Sequence, residues 1–385
     1  MREYEQSHPW LTFGLDLGRA HADLWLLLGE AVSKCEHLAG VPLKPALHEH
    51  FNQLFLAKGV LATTAIEGNT LTEDEVLQHI RGTLKLPASK EYLAREVDNI
   101  IRVANEIWQD QSGRYRSLSP ELIREFNRRI LEGLTLEPHV VPGESRTYSV
   151  GVGTYRAAPA ADCDYLLGRL CAWLNEEPPE QTSERRMAHA IVKAVLAHLY
   201  LAWIHPFGDG NGRTARLMEF QILVQAGVPM PAAHLLRNHY NSVRTEYYRQ
   251  LERASATKGD VFPFLLFAVR GFVDGLREQI ALVREEQLSA AWRDYVNGFF
   301  EDRRSKSDLR RMHLVLDLTA MPGPVPRPQL QEVSPRAARA YADRTGKTLT
   351  RDVNWLEGQG LVVAMPTGYQ ANRERMLAFL PWRRQ

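Results

Sequence analysis

Cysteine is scarce in this chain of 385 residues. Cys35, Cys163 and Cys171 are too few and too scattered for a disulfide framework, and no pair has metal-ligand spacing. They read as small buried apolar side chains. Net charge is almost absent as well: 47 Lys and Arg stand against 46 Asp and Glu, a formal +1. Bulk charge therefore points to neither nucleic acid nor membrane. The N-terminus has no signal-peptide h-region, and no apolar run reads as long enough to span a bilayer. The expectation is a cytoplasmic protein with no membrane partner. Internal repeats and low-complexity tracts are missing too. What is present is a 44% hydrophobic composition, which suits a full-sized core, and enough length for two or three domains.

The charge that exists is unevenly placed. From Arg303 to Gln385 there are 15 Lys and Arg against 7 Asp and Glu, so the last segment is basic and the remainder acidic. Nearly everything before Arg303 has helical period. Apolar-periodic stretches run from Trp25 to Gly40, Leu47 to Leu61, Ser89 to Trp108 and Leu118 to Leu134. Thr72 and Glu75 form a capping box that opens a further helix. Tyr148 to Tyr155 alternates with glycines and reads as a short hairpin ended by Pro159. Helices resume at Asp164–Glu176, Pro178-Pro179 breaks the chain, and a long helix runs from Ser183 or Glu184 to Ile204. Asn211–Ala226 is another, and more follow from Tyr240 through Leu288. Past Arg303 the spacing predicts helices at Asp308–Ala320, Pro335–Arg344 and Thr348–Glu357, then strands at Leu361–Ala364 and near Met376–Leu380. Three helices and a hairpin form the layout of a winged helix-turn-helix.

One run carries the chemistry: His205-Pro-Phe-Gly-Asp-Gly-Asn-Gly-Arg-Thr-Ala-Arg216. Proline should end the long helix near His205 and place that imidazole at a helix end facing a loop. An imidazole titrates near neutrality and can take a proton from a hydroxyl. The glycines let the loop backbone approach a ligand. The next helix starts near Asn211, so its free N–H groups and positive dipole end face the loop and suit phosphate. Arg213 and Arg216 lie one turn apart and can fork onto phosphate oxygens. Asp209 can hold Mg²⁺ bridging two phosphates. These parts describe transfer of a phosphate-containing group onto an alcohol.

This run resembles the Fic-domain signature His-Pro-Phe-x-(Asp/Glu)-Gly-Asn-Gly-Arg-x-x-Arg at every specified position. By coarse layout the likeness covers roughly residues 10 to 290, and a winged-helix tail recurs in bacterial members. The resemblance implies a mainly α fold: an all-helical Fic core with a small β-hairpin flap, plus the C-terminal winged helix-turn-helix. Its domains would be 1–112, a helical region with an inhibitory motif; 113–290, the catalytic domain; and 303–385, the winged helix.

The resemblance also assigns roles. His205 would deprotonate a Ser, Thr or Tyr hydroxyl of a target protein, and AMP from ATP, the co-substrate, would pass to it with Mg²⁺ on Asp209. Gly210, Asn211 and Gly212 would form the anion hole, and Arg213 and Arg216 would bind the outer phosphates. Tyr247 and Tyr248 lie where relatives contact the base. Val150, Gly151, Val152 and Gly153 form the flap, which would pair with target backbone by strand addition. Thr63-x-x-x-Glu67-Gly68 resembles the family's inhibitory motif, with Glu67 expected to pair with Arg216 and hold transfer low. His198 is expected to pack in the core or support the site.

Two other readings remain. The same site would serve removal of AMP from a modified protein, and the chain could be a nucleotide-sensing, DNA-binding regulator. For the latter, Lys347, Arg351 and Asn354 share one side of the candidate recognition helix, opposite Leu349, Val353 and Leu356. That suits double-stranded DNA, although winged helices also dock proteins or a second copy of the chain.

Overall fold

A computed structural model describes residues 2–110, 112–153, 155–176, 182–257 and 259–377. Thr154, the Pro178-Pro179 break and residues 378–380 of the second expected wing strand lie outside the described residues. The chain folds as two compact units, Met1–Ile280 and Ala281–Gln385.

The first unit is helical apart from one hairpin. Its elements are α1 Glu3–Ser7, α2 Ala22–Gly40, α3 Pro45–Ala65, α4 Glu73–Ile80, α5 Glu91–Gln109, α6 Pro120–Ile130, β1 Gly151–Val152, β2 Tyr155–Arg156, α7 Cys163–Asn175, α8 Ser183–Ile204, α9 Asn211–Gln225, α10 Met230–Ala233, α11 Leu235–Ser242 and α12 Arg244–Ala256, followed by the first part of α13, Phe262–Phe299. Local chemistry sets several boundaries. The Thr72–Glu75 capping box opens α4 as expected, and the Ser119 hydroxyl accepts from Leu122 N with Pro120 in the first turn of α6. The expected hairpin is present, with strands of two residues each in register Val152↔Tyr155. All three cysteines are buried.

One continuous apolar core runs from Tyr4 to Leu276. Its axis is α8, which packs against α9 and buries Met187, Ile191, Val195, Leu199 and Trp203 among others. This helix corrects the expectation that no segment could span a bilayer. The helix has 22 residues, and an 18-residue window of it reaches a mean hydropathy of 1.5, long and apolar enough by composition to cross a membrane. Here 67% of that stretch is buried inside the protein, because a helix apolar on every side is also what a core centre requires. Its neighbour α9 is unusual in the opposite way: it buries Arg213, Arg216, Glu219 and Gln221, residue types that stay near the surface unless paired.

In the second unit the distal part of α13 supplies Trp292, Val296 and Phe300 to a core completed by α14 Lys306–Thr319, α15 Pro335–Tyr341, α16 Gly346–Gly358 and a hairpin of β3 Val362–Met365 and β4 Gly368–Ala371. The second strand lies earlier than the expected Met376–Leu380, where Arg373–Met376 instead form a 3₁₀ turn. The tight Pro366-Thr367 connection brings Gly368 onto the Val325 backbone, where a Cβ would sit 2.3 Å from the Val325 carbonyl oxygen. Val325 and Tyr369 exchange two backbone hydrogen bonds of 2.8 Å. β4 pairs with β3 in a register from Met365↔Gly368 to Val362↔Ala371, and the Val325 bridge adds a long-range contact that periodicity does not reveal. Three helices followed by a hairpin is nonetheless the order expected.

Candidate active site

Pro206 ends α8, and His205 takes the left-handed conformation, φ 49° and ψ 58°. A residue with a Cβ is uncommon there and persists when its surroundings hold it. The loop that follows is closed by side chains of its own motif and of α6. Asn211 accepts from Phe207 N at 3.0 Å and donates to Phe207 O at 2.9 Å. Asn127 donates to Asp209 O at 2.8 Å and accepts from Gly143 N at 2.9 Å. Gly210, at φ 77°, is needed twice: for that angle, and because a Cβ would lie 2.8 Å from Asn127 Nδ2.

The first turn of α9 then faces a cavity of about 560 Å³. His205, Asn211, Gly212, Arg216, Tyr247 and Tyr248 line it, together with Glu67 from the end of α3 and Val152 and Gly153 from the hairpin. The structure thus gathers sequence-distant candidates at one opening. Asp209, Gly210 and Arg213 belong to the adjoining loop and helix rather than to the lining, as do Val150 and Gly151 of the hairpin. Val152 is exposed.

The two motif arginines face different partners. Arg213 donates to Glu96 Oε1 at 2.8 Å and to Asp209 Oδ1 at 2.9 Å. Arg216, almost wholly buried, donates through Nη2 to Glu67 Oε1 at 2.5 Å and to Thr63 O at 3.1 Å. Thr63 therefore contributes its carbonyl; its hydroxyl is spent on Gly59 O at 3.0 Å. Gly68, at φ 102°, turns the chain after Glu67. Gly212 admits the Glu67 carboxylate, since a Cβ there would lie 2.5 Å from Glu67 Oε1. A carboxylate thus rests on the N-terminus of α9, where the helix dipole favours an anion.

Electrostatics follows from burial. Desolvation would raise the Glu67 carboxyl, but the Arg216 charge and hydrogen bond, helped by Arg213 and Arg244, hold it below the ordinary carboxylate value. Burial and then the Arg146 guanidinium push His205 down to about 4, against weaker opposing pulls that include Glu67 and Asp209. The imidazole is therefore neutral at pH 7 and able to accept a proton. Behind the cavity, the buried Tyr247 hydroxyl meets His198 Nε2 at 2.8 Å. His198 Nδ1 lies 3.3 Å from Glu219 Oε2, and Tyr240 donates to Glu219 Oε1 at 2.8 Å. His198 thus sits in the core and also lines the site. Burial raises the Tyr247 phenol, which keeps it protonated.

Several site residues gave no signal in the sequence: Arg146, Asn127, Glu96 and Arg244 sit in no motif. Arg244 donates to the Ala65 and Ile66 carbonyls, at 3.1 and 2.5 Å, and so caps the end of α3. Lys347, Arg351 and Asn354 lie in the second unit. All three are exposed on α16, with Leu349, Val353 and Leu356 buried, and Asn354 accepts from Arg327 at 3.3 Å.

Residues 117–223 match the model of the Fic/DOC family. The chain is 30% identical over 236 residues to the protein adenylyltransferase Fic of Nematostella vectensis, covering 60% of this chain and 49% of that one. It is 32% identical over 217 residues to the protein adenylyltransferase fic-1 of Caenorhabditis briggsae, covering 55% and 38%. The chain thus spans about half or less of these relatives' length. Among solved structures, a Fic family protein from Desulfovibrio desulfuricans has a TM-score of 0.55 at 20% identity, covering 91% of this chain and 96% of that one. Fic-1 of Caenorhabditis elegans has 0.53 at 24%, covering 68% and 73%. At these identities the likeness shows the fold.

Proposed function

We propose, from the match of residues 117–223 to the Fic/DOC family, that the cavity binds ATP and transfers AMP to a Ser, Thr or Tyr hydroxyl of a protein, the chain itself included. The observation that carries this reading is the convergence of His205, the start of α9, Arg216 and the hairpin on one cavity. Neutral His205 accepts the hydroxyl proton. The oxygen attacks the α-phosphorus, the bond from that phosphorus to the β-bridging oxygen breaks, and pyrophosphate leaves with the electron pair. The N–H groups opening α9 stabilise charge on the phosphates, and Arg216 takes an outer phosphate, in the manner of an oxyanion hole.

Among the described residues no group of three or more His, Cys, Asp and Glu side chains could hold a metal ion. A half-exposed Asp209 carboxylate nevertheless fits Mg²⁺, which is commonly held through one or two carboxylates and the substrate's phosphates. When bound there, the ion would neutralise phosphate charge.

In this reading Glu67 is autoinhibitory. Its carboxylate occupies the guanidinium that an outer phosphate needs. The test is incubation of the chain with labelled ATP and Mg²⁺, followed by mass spectrometry. Wild type should incorporate little AMP, Glu67→Gly much more, and Glu67→Gly with His205→Ala none. Absence of any incorporation by Glu67→Gly overturns the proposal. Because Glu67 and His205 share the cavity, the site also suits the reverse reaction, with Glu67 orienting water. Release of AMP from a modified protein by wild type but not by Glu67→Gly would favour that direction.

A further inference from the structure

Between α6 and the hairpin the chain buries an arginine whose hydrogen bonds go to backbone. Arg146 is 4% exposed. Its Nε donates to His205 O at 2.7 Å, its Nη1 to Tyr148 O at 2.5 Å, and its Nη2 to Ala158 O at 2.5 Å and Ile204 O at 3.3 Å. Its own backbone N–H donates to Pro206 O at 2.8 Å. These carbonyls belong to three places: the last turn of α8 with His205, the segment entering the hairpin, and the segment leaving it. Neighbouring contacts reinforce the tie. Ala158 N and the Tyr155 hydroxyl both donate to Trp203 O, at 3.2 and 2.9 Å, and Ser145 bridges to Phe207.

Physical chemistry explains why arginine occupies this place. The last carbonyls of a helix lack intrahelical partners and form its negative dipole end. A guanidinium there is stabilised by those dipoles without a carboxylate. Its planar fork of five donors reaches separate chain segments at fixed angles, which a lysine ammonium on its flexible stem does not. His205 stands in a strained left-handed conformation, so the direction of its imidazole depends on what holds its backbone. The same guanidinium also lowers the proton affinity of His205.

We propose that Arg146 is the positioning residue of this site. One buried fork locks the left-handed His205 turn to both roots of the hairpin, so that imidazole and acceptor-binding edge keep a set separation. The inference rests on the AMP-transfer reading for its activity readout, but the coupling can be measured without it.

The test uses the full chain with Glu67→Gly as parent, and compares Arg146→Lys and Arg146→Met added to it. Automodification with labelled ATP is followed alongside amide hydrogen exchange, with a thermal melt to verify folding. In Arg146→Met the maximal automodification rate should fall on the order of 10²-fold, the scale of a misplacement of about 1 Å, with the KM for ATP within about twofold of the parent. Exchange should quicken in residues 148–158 and 203–208 and stay unchanged in α5. Arg146→Lys should recover only part of the rate. The proposal is overturned if the KM for ATP rises in step with the lost rate, if exchange in the hairpin does not change, or if lysine matches arginine. If the parent itself transfers no AMP, the transfer reading fails and exchange alone decides: faster exchange in both segments supports the coupling, and unchanged exchange rejects it.

Discussion

Each unit buries charge, and the two do so differently. In the second unit Asp352 is 1% exposed. Its oxygens accept from Arg310 Nε at 2.6 Å, Arg311 Nε at 2.7 Å and the Tyr341 hydroxyl at 3.1 Å. Every partner comes from the helices that form that core, and α16 buries Asp352 alongside Leu349, Val353 and Leu356. In the first unit Arg216 is just as buried, but its charged partner is Glu67, 149 residues away in sequence and facing a cavity. A buried charge satisfied from within its own core is part of the packing. A buried charge whose partner stands at an opening can exchange that partner for another anion. The Arg216–Glu67 pair is therefore one in which a ligand anion could replace a member.

Replacing His205 with Ala should lower AMP transfer on the order of 10²- to 10⁴-fold, read as label incorporation in a Glu67→Gly background. The same imidazole sets an acid limit. Its folded value is depressed to about 4, so the unprotonated form is complete near neutrality and is lost as pH falls through 4. Rates from pH 3.5 to 8 should be flat above about 5.5 and drop below it; a drop centred near 6.5 would contradict that assignment.

Asp352→Ala strands two guanidiniums and should cost roughly 3–5 kcal/mol of stability, visible as a lower denaturant midpoint for the second unit. Glu67→Gly should behave in the other way: automodification should rise on the order of tenfold or more, while stability becomes anion-dependent. Added ATP or inorganic phosphate should raise its melting temperature more than that of wild type, because the buried Arg216 has lost its counter-charge. Equal shifts in both proteins would mean that Glu67 and phosphate do not compete. The smallest effect belongs to Arg244→Ala. This exposed residue gives two hydrogen bonds to the end of α3, a net contribution of about 1 kcal/mol. Losing it should loosen the Glu67 contact and raise automodification up to about fivefold, with His205 untouched.

Much of the site was legible because its parts are contiguous. The run 205–216 predicts a helix ended by Pro206, a glycine loop and a new helix N-terminus, and the backbone follows it. The Thr63–Gly68 segment and its pairing with Arg216 were legible from a motif, although the carbonyl of Thr63, not its hydroxyl, meets the guanidinium. The resemblance places Asn211 in an anion hole, and the structure adds that its side chain closes the loop at Phe207. Arg146, Asn127 and Glu96 could not be read, because a lone arginine, asparagine or glutamate in a polar stretch looks the same whether it ends in solvent or beneath a loop. The second strand of the C-terminal hairpin lies earlier than its apolar spacing suggests, because it pairs with β3 across a two-residue turn and Val325, far off in the chain, bridges to Tyr369.

What the sequence determined by itself was local. Helical period, proline stops, caps and an unbroken motif need only neighbours within a few residues, and these interactions are encoded by adjacency. Tertiary structure decided which charges meet. Glu67 on Arg216, Glu96 on Arg213 and Arg146 beneath His205 each depend on helices packed by non-directional apolar burial, which brings distant residues together without marking them in the chain.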